Sequence, residues 1–166
     1  YHPAFLQHKF AAICMHPDEV ACKELWMKAF GDDEQFADSF IMRYYSRRRM
    51  LTAEAEGRMA AMLHLLPFRT ELGRTTYIYG VATDPAFRGR GLASQLMREA
   101  MRLIAERGDD AALLLPTPGK EWLREFYGRF GFAGDVPTEF VSADRFDFGT
   151  GDAAADRAMV WRRTPE

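Results

Sequence analysis

The hexapeptide Arg88-Gly89-Arg90-Gly91-Leu92-Ala93 alternates two cations with two glycines, and an apolar helical pattern begins at once after it. A strand pattern ending at Thr83 precedes it, so the segment reads as strand, turn and helix. The first amides of a helix lack intrahelical acceptors and point outward at the positive end of the helix dipole. Gly89 and Gly91 would let a ligand approach that backbone closely, while Arg88 and Arg90 add charge. A pyrophosphate fits a site of this kind. The same residues are also open to three other readings: a dinucleotide loop, a nucleic-acid patch, or a glycine-rich turn with two solvated arginines.

The dinucleotide reading rests on Gly89-x-Gly91-x-x-Ser94, close to the fingerprint of that fold. The fingerprint needs an acidic residue at the end of the next strand, to meet a ribose. Here Asp109-Asp110 begin that strand instead, and too little chain follows for a full Rossmann half. A nucleic-acid patch needs a basic face. Arg74, Arg88, Arg90, Arg98 and Arg102 are interleaved with Asp84, Glu99 and Glu106, and the chain carries a formal net charge of -2. Specific nucleic-acid binding is therefore not expected.

The elements that would hold the loop follow from periodicity. Pro17 to Phe30 is a helix with Val20, Leu25, Trp26 and Phe30 near one face, closed by Gly31. Asp32-Asp33 suit the cap of a second helix carrying Phe36, Phe40 and Ile41. Met50–Ala55, Arg58–Pro67 and Thr75–Thr83 form an antiparallel meander, turning at Glu56-Gly57 and Glu71-Leu72-Gly73. A helix runs from about Gly91 to Glu106, with Leu92, Leu96, Ala100 and Ile104 recurring at helical steps. Ala111 to Leu115 is continuously apolar, as in a strand covered on both faces. A further helix spans roughly Lys120 to Arg129, and two strands near 137–143 and 157–163 close the chain. The expected order is ααβββαβαββ: one α/β domain over residues 1–166 on a mixed sheet, with residues 1–11 as tail or loop.

Bulk properties agree with one folded domain. The chain has 166 residues, 48% of them hydrophobic and 28% charged, enough for a sizeable core. Its longest apolar run, Met59 to Phe68, is interrupted by His64 and Pro67 and is too short for a bilayer, which needs about 20 residues. Cys14 and Cys22 form neither a CxxC pair nor a disulfide framework. The chain opens on Tyr1 with no segment that reads as a signal peptide, so a cytoplasmic location with reduced thiols is expected. No membrane partner and no metal site are expected.

The stretch from Val81 to Ala93 resembles the acetyl-CoA signature of the GCN5-related N-acetyltransferase (GNAT) family. That signature is Gln/Arg-x-x-Gly-x-Gly/Ala after a strand, and Arg88, Gly91 and Ala93 fill its defined places. Phe126-Tyr127-Gly128-Arg129-Phe130-Gly131-Phe132 resembles the family's second conserved segment, and the element order is similar over nearly the whole chain. The resemblance implies a mixed central sheet whose parallel fourth and fifth strands, here near 75–83 and 111–115, splay apart. It implies that acetyl-CoA is the cosubstrate. The pantetheine arm would pair with the backbone at Val81, Ala82 and Thr83, and the pyrophosphate would sit on Arg88, Gly89, Arg90, Gly91, Leu92 and Ala93.

The resemblance also gives Tyr127 a role. By itself Tyr127 is most simply a core aromatic on a helix stripe. In the family the matching tyrosine lies near the coenzyme sulfur and can protonate the departing thiolate, as a neutral phenol is able to do. The implied reaction is acetyl transfer to a primary amine by direct attack in a ternary complex, with an acyl-CoA-binding module lacking chemistry as the alternative. Many relatives carry a Glu near the fourth strand, but Tyr77 to Thr83 has no carboxylate. Asp84, Glu54, Glu56, His64 and Glu139 are the candidates left for a base, none preferred. Lys120 stands where many relatives have Asn, and either approaches a phosphate or is solvated.

The acceptor would meet residues from about Trp26 to Arg49 and from Thr138 to Asp152. These hold aromatic residues beside Asp32, Asp33, Glu34 and Asp38, which suit a cationic amine, small molecule or peptide, or else simply a core and helix caps. Arg47-Arg48-Arg49 reads as a solvated run at a helix end, with a phosphate-bearing acceptor as the alternative. The family is often dimeric, which admits a homodimer here, although no stretch marks an interface.

Overall fold

The computed structural model describes residues 17–141, 144, 146–150, 152 and 154–164. The tail expected at residues 1–11, and Cys14, lie outside these. The elements are α1 (Pro17–Phe30), α2 (Glu34–Tyr44), β1 (Met50–Ala55), β2 (Arg58–Thr70), β3 (Gly73–Thr83), α3 (Leu92–Arg107), β4 (Ala111–Leu114), α4 (Trp122–Gly128), β5 (Ala133–Pro137) and β6 (Arg157–Arg162), with a short 3₁₀ turn at Pro85–Phe87. The order is the ααβββαβαββ of the sequence reading.

Six strands form one mixed sheet in the order β1-β2-β3-β4-β6-β5. The β1–β2 turn places Glu56 and Gly57 at φ 51° and 76°, the pair of positive angles that a two-residue hairpin loop demands. The β2 strand alternates between two cores. Ala61, Leu63 and Leu65 face a cluster with Leu96, Met97, Ala100 and Ile104 of α3. Met62 and Leu66 face the other, with Leu25 and Trp26 of α1 and Phe40 of α2. Helices therefore cover both faces, which is why the run from Met59 to Phe68 is almost wholly apolar rather than alternating.

The parallel pairing of β3 with β4 covers only Thr75–Ala111, Thr76–Ala112 and Tyr77–Leu113. Beyond Tyr77 the strands part. On its other side β3 is bulged: His64 pairs with Tyr79 and Met62 with Ala82, so Gly80 and Val81 stand opposite Leu63 alone. Gly80 sits at φ 64°, and a Cβ there would lie 2.7 Å from Trp26 Cζ3 and 3.0 Å from His64 Cδ2. Glycine is required at this position for its backbone angle and for the close approach of the indole.

The penultimate strand differs from expectation. It spans Ala133–Pro137 rather than starting near 137, beginning directly after the Gly131 turn that follows α4; residues 142 and 143 of the expected span lie outside the described ones. All five of its residues are exposed on the sheet edge, so no apolar alternation marks it. Thr138 to Val141, which does look like a strand, instead carries Phe140 into the second core, where it stacks on Tyr77 at 5.0 Å.

His64 is wholly buried in that core, 4.9 Å from the Phe40 ring and 6.0 Å from that of Trp26. Its Nε2 lies 3.8 Å from Cys22 Sγ, and its Nδ1 has no hydrogen-bond partner among the described residues. Burial pushes its pKa down to about 3. The folded protein thus holds a neutral imidazole, while the unfolded chain takes up a proton below about pH 6.5. Stability from this group is complete above that pH and is lost as the pH falls from about 6.5 toward 3. Urea unfolding should show a loss of about 2 kcal/mol from this residue between pH 7 and pH 5. His64→Gln should remove that share of the slope, and an identical pH dependence in the variant would refute the assignment.

Candidate active site

The opened end of β3 and β4 holds two adjoining cavities. One, of about 550 Å³, is lined by Val81, Ala82 and Thr83 of β3, the loop residues Arg88, Gly89 and Gly91, and Leu92, Ala93 and Ser94 of α3. Lys120, Trp122 and Phe126 form its opposite wall. The other, of about 420 Å³, runs from Trp26 and Asp32 past Tyr79 and Gly80 to Phe148, Thr150 and Asp156. Phe30, Val81, Thr117 and Tyr127 line both, so these four residues mark the junction.

The loop cavity is built from backbone. Gly89 and Gly91 have φ of 81° and 76°, and a Cβ on either would meet nothing within 4 Å. Their need for glycine lies in backbone conformation and in access for a ligand, not in packing. Gly91 is the N-cap of α3 and supplies no side-chain hydrogen bond, leaving the first-turn amides open to the cavity. Arg88 lines the cavity, whereas the Arg90 guanidinium lies 4.9 Å from the Phe87 ring centroid and 3.4 Å from Glu56 Oε2, outside the cavity wall. Lys120 brings a second cation to this cavity. Two cations, open amides and glycine clearance fit an oligophosphate, and the unpaired edge of β3 beyond Tyr77 fits an amide-bearing arm.

Tyr127 sits at the junction because α4 presents it inward. It is 7% exposed, while Phe126 and Phe130 pack beside it against the α3 core. Burial pushes its phenol up to about 12. The hydroxyl therefore remains a hydrogen-bond donor throughout the physiological range.

The second cavity is aromatic with carboxylates at its edge. Asp32 accepts a 2.9 Å hydrogen bond from Trp26 Nε1. The cap of α2 is its neighbour Asp33, whose Oδ1 accepts from the Phe36 amide at 2.8 Å, so Asp32 is released from capping. Asp156 is buried and accepts from the Thr150 amide and hydroxyl, which fastens the closing loop. The sequence shows Asp32-Asp33 as an acidic pair at a helix start; only the cap geometry separates their duties. Trp122, 62% exposed and lining the loop cavity, falls within the helix expected from about Lys120 to Arg129, where nothing in the sequence marks it for the site.

The other candidate bases lie elsewhere. Asp84 caps the 3₁₀ turn, accepting from the Ala86 amide at 2.9 Å. That bond, with Lys28 behind it, holds its carboxyl below the usual range. Glu56 pairs with Arg90, Glu54 and Glu139 are exposed away from both cavities, and His64 is sealed in the core. No group of three or more His, Cys, Asp or Glu among the described residues is arranged to hold a metal ion, and no described helix is long and apolar enough to cross a membrane.

A family model described as an acetyltransferase (GNAT) domain matches residues 16–134. The chain belongs to the GNAT acetyltransferase family. Solved GNAT structures share its fold. A Bacillus subtilis acetyltransferase in complex with CoA matches with a TM-score of 0.62 at 19% identity, covering 90% of this chain and 94% of that one. An Escherichia coli GNAT N-acetyltransferase, also in complex with CoA, gives 0.62 at 19% identity, covering 89% and 77%. The ribosomal-protein-S18-alanine N-acetyltransferase of Escherichia coli gives 0.59 at 18% identity, covering 86% and 84%. A search of curated protein sequences returned no match.

The glycines of this GNAT site separate by substitution. Gly91→Ala should cost about 1–2 kcal/mol, the strain of a left-handed residue in open space. Gly80→Ala should cost more, because overpacking against Trp26 adds about 1–3 kcal/mol to similar strain. Urea unfolding of both variants checks the order, and equal losses would mean that Trp26 does not hold Gly80 in place.

Proposed function

We propose that the protein transfers an acetyl group from acetyl-CoA to a primary amine by direct attack in a ternary complex. The observation that carries this reading is the buried Tyr127 phenol at the junction of a cation-and-amide cavity and an aromatic, acidic one. When bound, acetyl-CoA supplies an acetyl thioester activated toward amines.

The residues that would hold it are Arg88, Gly89, Gly91, Leu92 and Ala93 for the pyrophosphate and Val81, Ala82 and Thr83 for the arm, with Lys120 as a second cation. For Arg90 the proposal narrows to its backbone amide, since its side chain is engaged by Phe87 and Glu56. Tyr127 would donate a hydrogen bond to the sulfur as the C–S bond breaks. A phenol near 12 gives up its proton only uphill to a thiolate of ordinary basicity, near 8.5 for a cysteine thiol. Its contribution is thus stabilisation of developing charge by a fixed donor more than outright protonation. Asp32 would attract the cationic amine and take part in its deprotonation, while Trp26, Phe30, Tyr79 and Phe148 enclose an apolar or aromatic substituent. The cationic amine first gives one proton to Asp32 or solvent. The neutral nitrogen then forms the new C–N bond as the C–S bond breaks, and it loses its second proton to solvent, while the CoA thiolate leaves and takes a proton from solvent.

Thiol release from acetyl-CoA, measured over a panel of primary amines beside a CoA thermal shift, tests this directly. Tyr127→Phe should lower kcat by about 10–100-fold with CoA affinity nearly unchanged. Because the phenol stays protonated, no loss of activity below pH 10 should trace to it. Asp32→Asn should raise KM for an aromatic amine about tenfold while sparing CoA binding. A CoA shift with no thiol released on any amine would favour the binding-module reading; no shift at saturating CoA would count against both.

A further inference from the structure

A third concavity, of about 500 Å³, opens at the opposite end of the sheet. It is lined by Arg48 and Arg49 before β1, Arg69 at the end of β2, Arg74 at the start of β3, and Arg107 at the end of α3. Four segments of the fold bring these five guanidiniums around one opening. Along β3 it lies about six residues from Val81, roughly 20 Å from the cofactor cavity at strand rise.

The charge there is not balanced. Among the described residues Asp109 is the one carboxylate in the lining, and it is already engaged: Thr76 Oγ1 donates to it at 2.6 Å and Arg74 Nη2 lies 3.6 Å away. Arg48, Arg49, Arg69 and Arg107 form no ion pair among the described residues. Several arginines elsewhere are paired: Arg102 with Glu99 and Glu106, Arg124 and Arg157 with Asp135, and Arg90 with Glu56. Like charges gathered in a concavity repel one another and concentrate anions.

The backbone beneath them is fixed. The Leu65 amide donates to Arg49 O at 2.6 Å, and Arg107 Nη2 donates to Arg48 O at 3.5 Å. Leu65, Pro67 and Phe68 give the concavity apolar walls. The volume suits a small molecule rather than a strand of nucleic acid. Guanidinium forks match phosphate oxygens two at a time.

We propose that this arginine basin binds a small multiply charged oxyanion of the oligophosphate class, separate from the acetyl-transfer site. The probe is inorganic tripolyphosphate, titrated calorimetrically into the full chain at low salt with CoA in excess. Saturable binding is expected despite the CoA. Arg49→Gln and Arg69→Gln should each weaken it about tenfold. Neither side chain makes a hydrogen bond or ion pair among the described residues. Arg98→Gln, an exposed arginine on α3 outside the basin, should leave it unchanged. Absence of binding, displacement by CoA, or indifference to both basin variants would overturn the proposal. So would a single-stranded oligonucleotide that binds more tightly than tripolyphosphate through the same two arginines, which would make the surface a nucleic-acid site.

Discussion

The architecture turns on one extra residue in β3. At Gly80 the strand adopts a positive φ, gains a residue relative to β2 and turns its far end away from β4. The Trp26 indole fills the space where any side chain at Gly80 would stand. Bulge, indole and parting strands form one unit: α1 is pinned to the bulge, and the gap beyond Tyr77 becomes the wall of two cavities. The same indole donates to Asp32, so the packing that demands glycine also orients the carboxylate of the proposed acceptor cavity.

A sheet covered on both faces makes that opening costly elsewhere. The strand β2 is apolar on both sides, and its one polar side chain in the buried stretch, His64, remains neutral with an unpartnered ring nitrogen. A protonated imidazole there would have no carboxylate to meet, since its ring neighbours are Trp26, Phe40 and Cys22. His64 is thus a component of the core beside the site, with no path to an acceptor proton. Cys22 follows the same logic: burial pushes its thiol up to about 12, leaving a small apolar group rather than a nucleophile.

How much could be read from the chain depends on whether one physical signal dominated each position. The Glu56-Gly57 turn, the two-faced β2 run and the helix after Gly91 each combine periodicity with a residue of special backbone freedom, and each was legible. At Arg88 to Ala93 the turn and the helix start were legible, since glycine before an apolar helical repeat marks both; their part in holding an anion belongs to the proposal. The edge strand Ala133–Pro137 was not, since exposure on an edge removes alternation. The division of labour between Asp32 and Asp33 was hidden because both satisfy the same helix-start statistics. Arg90 and Arg88 look equivalent in sequence, yet Phe87 draws one guanidinium away. The arginine basin is assembled from four segments of the chain, so only Arg48-Arg49 gave a local trace of it.

The two proposed sites at the ends of β3 would meet negative charge differently. Beyond Thr83 the cradle consists mainly of backbone amides, whose positions are set by φ at Gly89 and Gly91. Amide dipoles fixed in a helix start need no counter-ion and select by shape. Before Thr75 the basin consists of full charges on long side chains, of which Arg74 is 59% exposed. Such charges are screened by salt and adapt in position. An amide cradle suits a cosubstrate that must present its thioester to Tyr127 in one geometry. A guanidinium basin suits a ligand whose charge matters more than its outline, and that contrast separates the proposed basin in kind from the transfer site.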